Sequence, residues 1–190
     1  MSNIIILSGK SGHGKDALGG LMRAKLEAAG YHCMTVHYAD LVKYYATQYY
    51  NWDGIKDEKG RALLQHLGTD KVRTRFPNYW ADTISKFLLA TATDFDYVFI
   101  PDARFPNEIE VVKQDNPHVI TIRIERYNDD GTPYTNPAFT KKQLAHASET
   151  SLDDYYGFDY IVENSGPDLT MLNDAADTIL NDLGILKMGE

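Results

Sequence analysis

The stretch "GKSGHGKD", residues 9–16, sets Gly9, Gly14 and Lys15 at the spacing G-x-x-x-x-G-K directly after the apolar run "NIIILS". Glycines at such positions let backbone N–H groups converge on phosphate oxygens, and a helix that starts there turns its positive end toward them. Lys15 then neutralises the β- and γ-phosphates of a bound nucleotide. A loop that follows a strand and opens a helix is the context this chemistry requires, so a chance match is set aside. Gly9, Ser11, Gly12, His13, Gly14, Lys15, Asp16 and Ala17 are accordingly assigned to ATP. The pattern usually continues with Ser or Thr, whose hydroxyl ligates magnesium. Here the residue is Asp16. A carboxylate is also a hard oxygen ligand, and repulsion from phosphate oxygens favours a water between it and the ion. Complementing the helix dipole is a second role compatible with the first.

Other residues have types and positions suited to phosphate chemistry. Asp102 stands just past the apolar run "YVFI", at the carboxyl end of a buried strand, where open α/β sheets bind ligands; capping the turn after Pro101 is the alternative. Arg104, two residues on, can make a forked contact to an acceptor phosphate. Glu108 either orients Arg104 or starts the next helix. Arg61 and Gln65 share one helix face, suited to a phosphate and a base edge or simply solvated. Arg123 and Arg126 fall on opposite faces of "TIRIER", so only one is expected to reach a cleft; Arg126 is the catalytic candidate. His146, Ser148 and Glu149 close a polar stretch. They find no third metal ligand of suitable spacing and are read as lid anchors or nucleotide contacts. Of Tyr44, Tyr45, Tyr49, Tyr50, Trp52 and Trp80, one or two are expected to touch ligand and the rest to pack in the core.

Alternating elements must position these groups. Strands are expected at "NIIILS", "YHCMTVHY", "YVFI", "HVITIRIER" and "YIVEN". Helices are expected at "KDALGGLMRAKLEAAG", "ADLVKYYATQYY", "RALLQHLG", "NYWADTISKFLLATA", a short piece near 108–114, and "DLTMLNDAADTILNDLG". The order implies an α/β fold: a parallel five-stranded sheet with helices on both faces. One domain spans 1–190, with an acceptor-binding helical region at about 40–92. Residues 127–150, polar and containing Gly131, Pro133 and Pro137, read as a mobile loop or lid.

The 190-residue chain has a net charge of -8, which argues against long DNA or RNA as a partner. A small anionic ligand remains compatible, because a few cations focused in a cleft outweigh the average. Cys33 is the only cysteine, which rules out an intrachain disulfide and a cysteine-rich zinc site. The apolar run at the N-terminus is too short for a signal peptide or a membrane span. A cytoplasmic protein without a membrane partner is expected, and homodimerisation is left open.

"GKSGHGKD", "YADLVK", "RALLQHLGTDKVR", "IPDARFPNE" and "HASETSLDD" occur in this order. Together they resemble the deoxynucleoside monophosphate kinases encoded by many phages, within the P-loop nucleoside monophosphate kinase group, over residues 3 to about 165. The resemblance implies transfer of the γ-phosphate of ATP to a deoxynucleoside monophosphate with Mg2+, in the host cytoplasm. It implies Asp102, with Asp16, at the metal. It also implies Asp40, Lys43, Arg73 and Glu149 beside Arg61, Gln65, Arg104 and Glu108 at the acceptor, and Asn164 near the donor base. Such an enzyme holds about six anionic charges, and its acceptor phosphate, with a second pKa of about 6, needs no strong base. Arginines and a metal ion should therefore outnumber bases. Kinases of phosphomevalonate or dephospho-coenzyme A, which share this core, and a nucleotide-binding switch are the rival readings.

Overall fold

The structure is a computed structural model, which describes residues 2–166 and 168–185. Five parallel strands, β1 (Asn3–Ser8), β2 (Cys33–Thr35), β3 (Tyr97–Ala103), β4 (Val119–Arg126) and β5 (Tyr160–Asn164), form one sheet in the order β2-β3-β1-β4-β5. β1 is central and its apolar run is buried on both sides. Ile4 and Ile6 face one helical layer, while Ile5 and Leu7 face the other.

The first layer contains α2 (Ala39–Tyr50), α4 (Tyr79–Ala90) and α5 (Pro106–Asp115). The second contains α1 (Lys15–Ala28) and α8 (Thr170–Asp182). α1 buries Leu18, Met22 and Leu26, the apolar stripe legible in the sequence. This is the α/β architecture expected, and it puts the carboxyl ends of β1, β3 and β4 at one rim.

Three local departures shape that rim. β2 is shorter than "YHCMTVHY", because it pairs only with β3, across Cys33–Thr35. Beyond it the chain turns at His37, whose N–H donates to Asp40 Oδ2 at 3.1 Å. β3 runs past "YVFI" through Pro101 and Asp102. Pro101 has no N–H to give, and the ladder to β1 shifts register between Ile6 and Ser8 at this point. α3 (Glu58–Gln65) begins before "RALLQHLG", because Asp57 caps it by accepting the Gly60 N–H at 2.7 Å. It runs into a π-helix, His66–Arg73, whose Gly68 carbonyl accepts Trp80 Nε1–H at 2.8 Å.

Residues 127–150 carry two short helices, α6 (Lys141–Leu144) and α7 (Ala147–Thr150). The segment touches both sides of the cleft. Asn136 Nδ2 donates to Ser11 Oγ at 3.0 Å. The Phe139 ring lies 4.6 Å from the Arg61 guanidinium, and Gln143 Nε2 donates to the Glu58 carbonyl at 3.4 Å. Among the described residues no helix is long and apolar enough to cross a membrane.

Candidate active site

The loop between β1 and α1 is tightly held. Gly9 has φ +148° and Gly14 φ +105°, in the region that side chains avoid. A Cβ on Gly9 would stand 2.5 Å from the Ile124 carbonyl oxygen, and one on Gly14 would stand 2.9 Å from Leu172. Asn164, at the end of β5, donates from Nδ2 to the His13 carbonyl at 3.0 Å. Its Oδ1 is buried and has no donor among the described residues. His13 is buried under the loop. Nδ1 lies 3.1 Å from the Arg126 N–H and 3.2 Å from the Ile124 carbonyl, and Nε2 faces the Tyr134 carbonyl at 3.3 Å. Burial holds its pKa below the usual value.

Lys15 is buried and donates to the Lys10 carbonyl at 2.9 Å. Burial, with the nearby charge of Arg104, lowers its pKa to about 7, against the pull of Glu149, Asp16 and Asp102. An ammonium held this reluctantly gains most when phosphate supplies negative charge.

A cavity of about 500 Å³ opens from this loop. It brings together Ser11, Gly12, Lys15, Asp16, Lys43, Arg61, Gln65, Arg73, Asp102, Arg104, Glu108 and Glu149. Gly9, His13, Gly14, Ala17, Asp40, Arg126 and Asn164 do not line it. Gly9, His13, Gly14 and Asn164 instead build the loop from behind. Ala17 packs against the core. Asp40 accepts Lys43 Nζ at 3.0 Å and is half exposed. Arg126 donates to the Gly12 carbonyl at 3.0 Å and lies over the Tyr134 ring.

Lys15, Lys43, Lys56, Arg61, Arg73 and Arg104 face the cavity against Asp16, Asp102, Glu108 and Glu149. An acidic chain has thus gathered a local excess of cations. Three of the four carboxylates are engaged. Asp102 accepts the Tyr38 and Ala39 N–H groups, one per oxygen at 3.0 Å, and so caps α2 rather than its own turn. Burial raises its pKa. Glu108 accepts the Arg104 and Phe105 N–H groups at 2.6 and 3.1 Å and pairs with Arg73. It therefore starts α5, and its side-chain partner is Arg73 rather than Arg104. Glu149 accepts the Ser11 N–H at 3.0 Å and pairs with Arg104 Nη1 at 2.9 Å. Asp16 is exposed at the cavity edge.

Arg104 Nη1 also donates to the Gly9 carbonyl at 3.2 Å. Arg73 is stacked 3.8 Å from the Phe105 ring centroid and donates to Asn107 Oδ1 at 3.0 Å; its Nε is buried and without a partner among the described residues. Phe105, Phe139 and Trp80 give the cavity an aromatic lining. Sequence reasoning weighed Trp80 but missed the two phenylalanines. Phe105 stands beside Arg104 inside "DARFPNE", and Phe139 is a lone ring in a polar segment, the signal that would have drawn attention to it.

Magnesium and ATP fit these residues in kind. Asp16 and Asp102 are hard oxygen donors on the cavity, and a phosphate-bound magnesium needs only one or two carboxylates beside its waters.

No protein-family model matches the chain, and no curated protein sequence does. Among solved structures it is similar to a sugar kinase from Janibacter, at 13% identity over 97% of this chain and 96% of that one, with a TM-score of 0.56. The two share a fold. A tunicamycin resistance protein from Deinococcus radiodurans is similar at 12% identity over the whole of both chains, with a TM-score of 0.52. An APS kinase from Mycobacterium tuberculosis aligns at 12% identity over 96% of this chain and 97% of that one, with a TM-score of 0.48.

Proposed function

We propose that the chain is an ATP-dependent kinase of nucleoside monophosphates, deoxynucleotides foremost, which releases ADP and the nucleoside diphosphate. The observation that carries this reading is a single cavity, running from Lys15 of the phosphate loop to a chamber lined by Arg61, Arg73 and Arg104 with Phe105, Phe139 and Trp80. Cations suit the two polyphosphate ends, and aromatic rings suit a base.

The state of the carboxylates supports a phosphate acceptor over a hydroxyl one. Glu108, Glu149 and Asp102 are tied to cations or N–H groups, which disfavours proton abstraction by any of them. A phosphate acceptor, largely dianionic near neutral pH, needs no such base. Lys15 and the loop N–H groups bind the donor's terminal phosphates, and Arg104 bridges the loop and the acceptor chamber. Arg61, with Gln65 beside it, holds the acceptor, and Lys43 adds charge at the mouth. Asn164 and Arg126 border the outer edge of the loop, on the donor side. Magnesium, held through Asp16 and Asp102 or their waters, would neutralise the charge that develops on the phosphate oxygens. Closure of 127–150 over the cavity would exclude water and limit ATP hydrolysis.

The test is an ADP-coupled assay with ATP-magnesium and a panel of ribo- and deoxyribonucleoside monophosphates, with phosphomevalonate and dephospho-coenzyme A as other acceptors. ADP release that depends on a nucleoside monophosphate supports the reading. Release that depends only on one of the other acceptors replaces it.

A further inference from the structure

Glu149 stands where a phosphate kinase has least use for negative charge. Its carboxylate is buried, accepts the N–H of Ser11 inside the phosphate loop at 3.0 Å, and binds Arg104 Nη1 at 2.9 Å. It also lies close enough to Lys15 to hold that ammonium's pKa up. Loop N–H, arginine and lysine are the three kinds of donor that a transferring phosphoryl group requires. The first two here bind one carboxylate, and Lys15, which donates to the Lys10 carbonyl, feels its charge.

The segment that carries Glu149 is itself fixed. Four residues on, Asp153 binds Lys10 Nζ at 2.8 Å and Arg123 Nη2 at 3.2 Å, which ties the same turn to the loop and to β4. The Glu149 side chain can therefore leave the loop by rotation while its backbone stays in place.

We propose that Glu149 is a placeholder for phosphate, a positioning residue that keeps the Ser11 N–H and Arg104 aligned until the donor's terminal phosphate displaces it. The inference rests on the kinase reading for what arrives, but not on which acceptor follows. In the free protein the carboxylate satisfies the Ser11 N–H and takes a bond from Arg104, both of them partly buried. With the donor bound, like charge drives Glu149 off the loop and leaves Arg104 free for the transferring phosphoryl group.

Competition makes the sign of the test unusual for a buried ion-pair residue. Glu149→Gln keeps the size and an acceptor oxygen but loses the charge that opposes phosphate. Calorimetric titration with β,γ-imido-ATP and with inorganic pyrophosphate, neither with acceptor, should show tighter binding to the variant than to wild type, by about ten-fold given the usual strength of a charge-assisted hydrogen bond. A residue that only braced the loop would loosen binding when removed. Should the variant fail to fold, the wild-type protein answers by NMR. The side-chain carboxyl carbon of Glu149 should shift on saturation with pyrophosphate, and an unmoved signal would overturn the proposal. Equal or weaker binding by Glu149→Gln overturns it and leaves the kinase reading standing. Absence of any binding to either protein overturns both. Tightened binding in a protein that phosphorylates nothing in the acceptor panel supports the placeholder and sinks the kinase reading.

Discussion

Arg73 and Glu108, 35 residues apart in the chain, form an ion pair almost wholly withdrawn from solvent at the wall of the cavity. The same pair anchors the start of α5 and the end of the π-helix. Arg73→Met would leave Glu108 buried without its counter-charge, at a cost of about 3–5 kcal/mol at neutral pH or above. Burial already pushes the Glu108 carboxyl up to about 7 against the pull of Arg73, and the substitution raises it further. A carboxyl whose folded pKa exceeds its unfolded one gives stability that is full at low pH and lost as pH rises through the folded value. The Arg73→Met defect should therefore be smaller at pH 6 than at pH 8. Arg73→Met with Glu108→Gln should recover most of the loss at pH 8. Urea denaturation at the two pH values measures this, and an equal defect at both would contradict it.

Lys15 is expected to take up a proton when the donor binds. With a free-state pKa of about 7, it is mostly neutral at pH 8, and phosphate restores its charge. Calorimetry of ADP binding in buffers of different ionisation enthalpy should show uptake approaching one proton at pH 8 and little at pH 6. Lys15→Arg should abolish the uptake. Lys15→Ala should lower kcat by roughly 10²- to 10³-fold, the range for preorganised electrostatic groups.

Arg104→Lys should fail almost as badly as Arg104→Ala. The guanidinium reaches the Gly9 carbonyl and Glu149 from one nitrogen, and a lysine keeps the charge without the planar fork. The KM for the monophosphate should rise more than that for ATP. The opposite pattern would put Arg104 on the donor alone.

The phosphate loop, α1 and the five strands were legible because each is written in contiguous residues: glycines at fixed spacing, a helical stripe, apolar runs. The site's closing contacts were not. Glu149 meets Ser11 across 138 residues and Arg73 meets Glu108 across 35, separations that no local pattern encodes. Asp102 read as a metal ligand or the cap of its own turn. It caps α2 and not its own turn, its two oxygens accepting N–H groups 64 and 63 residues away in the chain. The π-helix escaped notice because its extra residue matters only once the Gly68 carbonyl turns to Trp80.

Asp16, exposed at the cavity edge, separates a metal role from a helix-end role. If it helps place magnesium, Asp16→Ala should raise the magnesium requirement more than the KM for the acceptor. Asp16→Ser, which restores a hydroxyl, should retain the most activity, with Asp16→Asn between them. A helix-end charge alone would change only stability, by about 0.3–1 kcal/mol. Magnesium titrations would then superimpose on wild type after scaling.

The central claim is that one cavity passes phosphate from ATP to the phosphate of a nucleotide. The most direct test is a single assay of ADP release with ATP-magnesium, each common ribo- and deoxyribonucleoside monophosphate in turn, and chromatographic identification of the product. Release should depend on the monophosphate, one diphosphate should form per ADP, and both should be lost together in Lys15→Ala. ADP released at the same rate with and without a monophosphate, and no diphosphate formed, would contradict it.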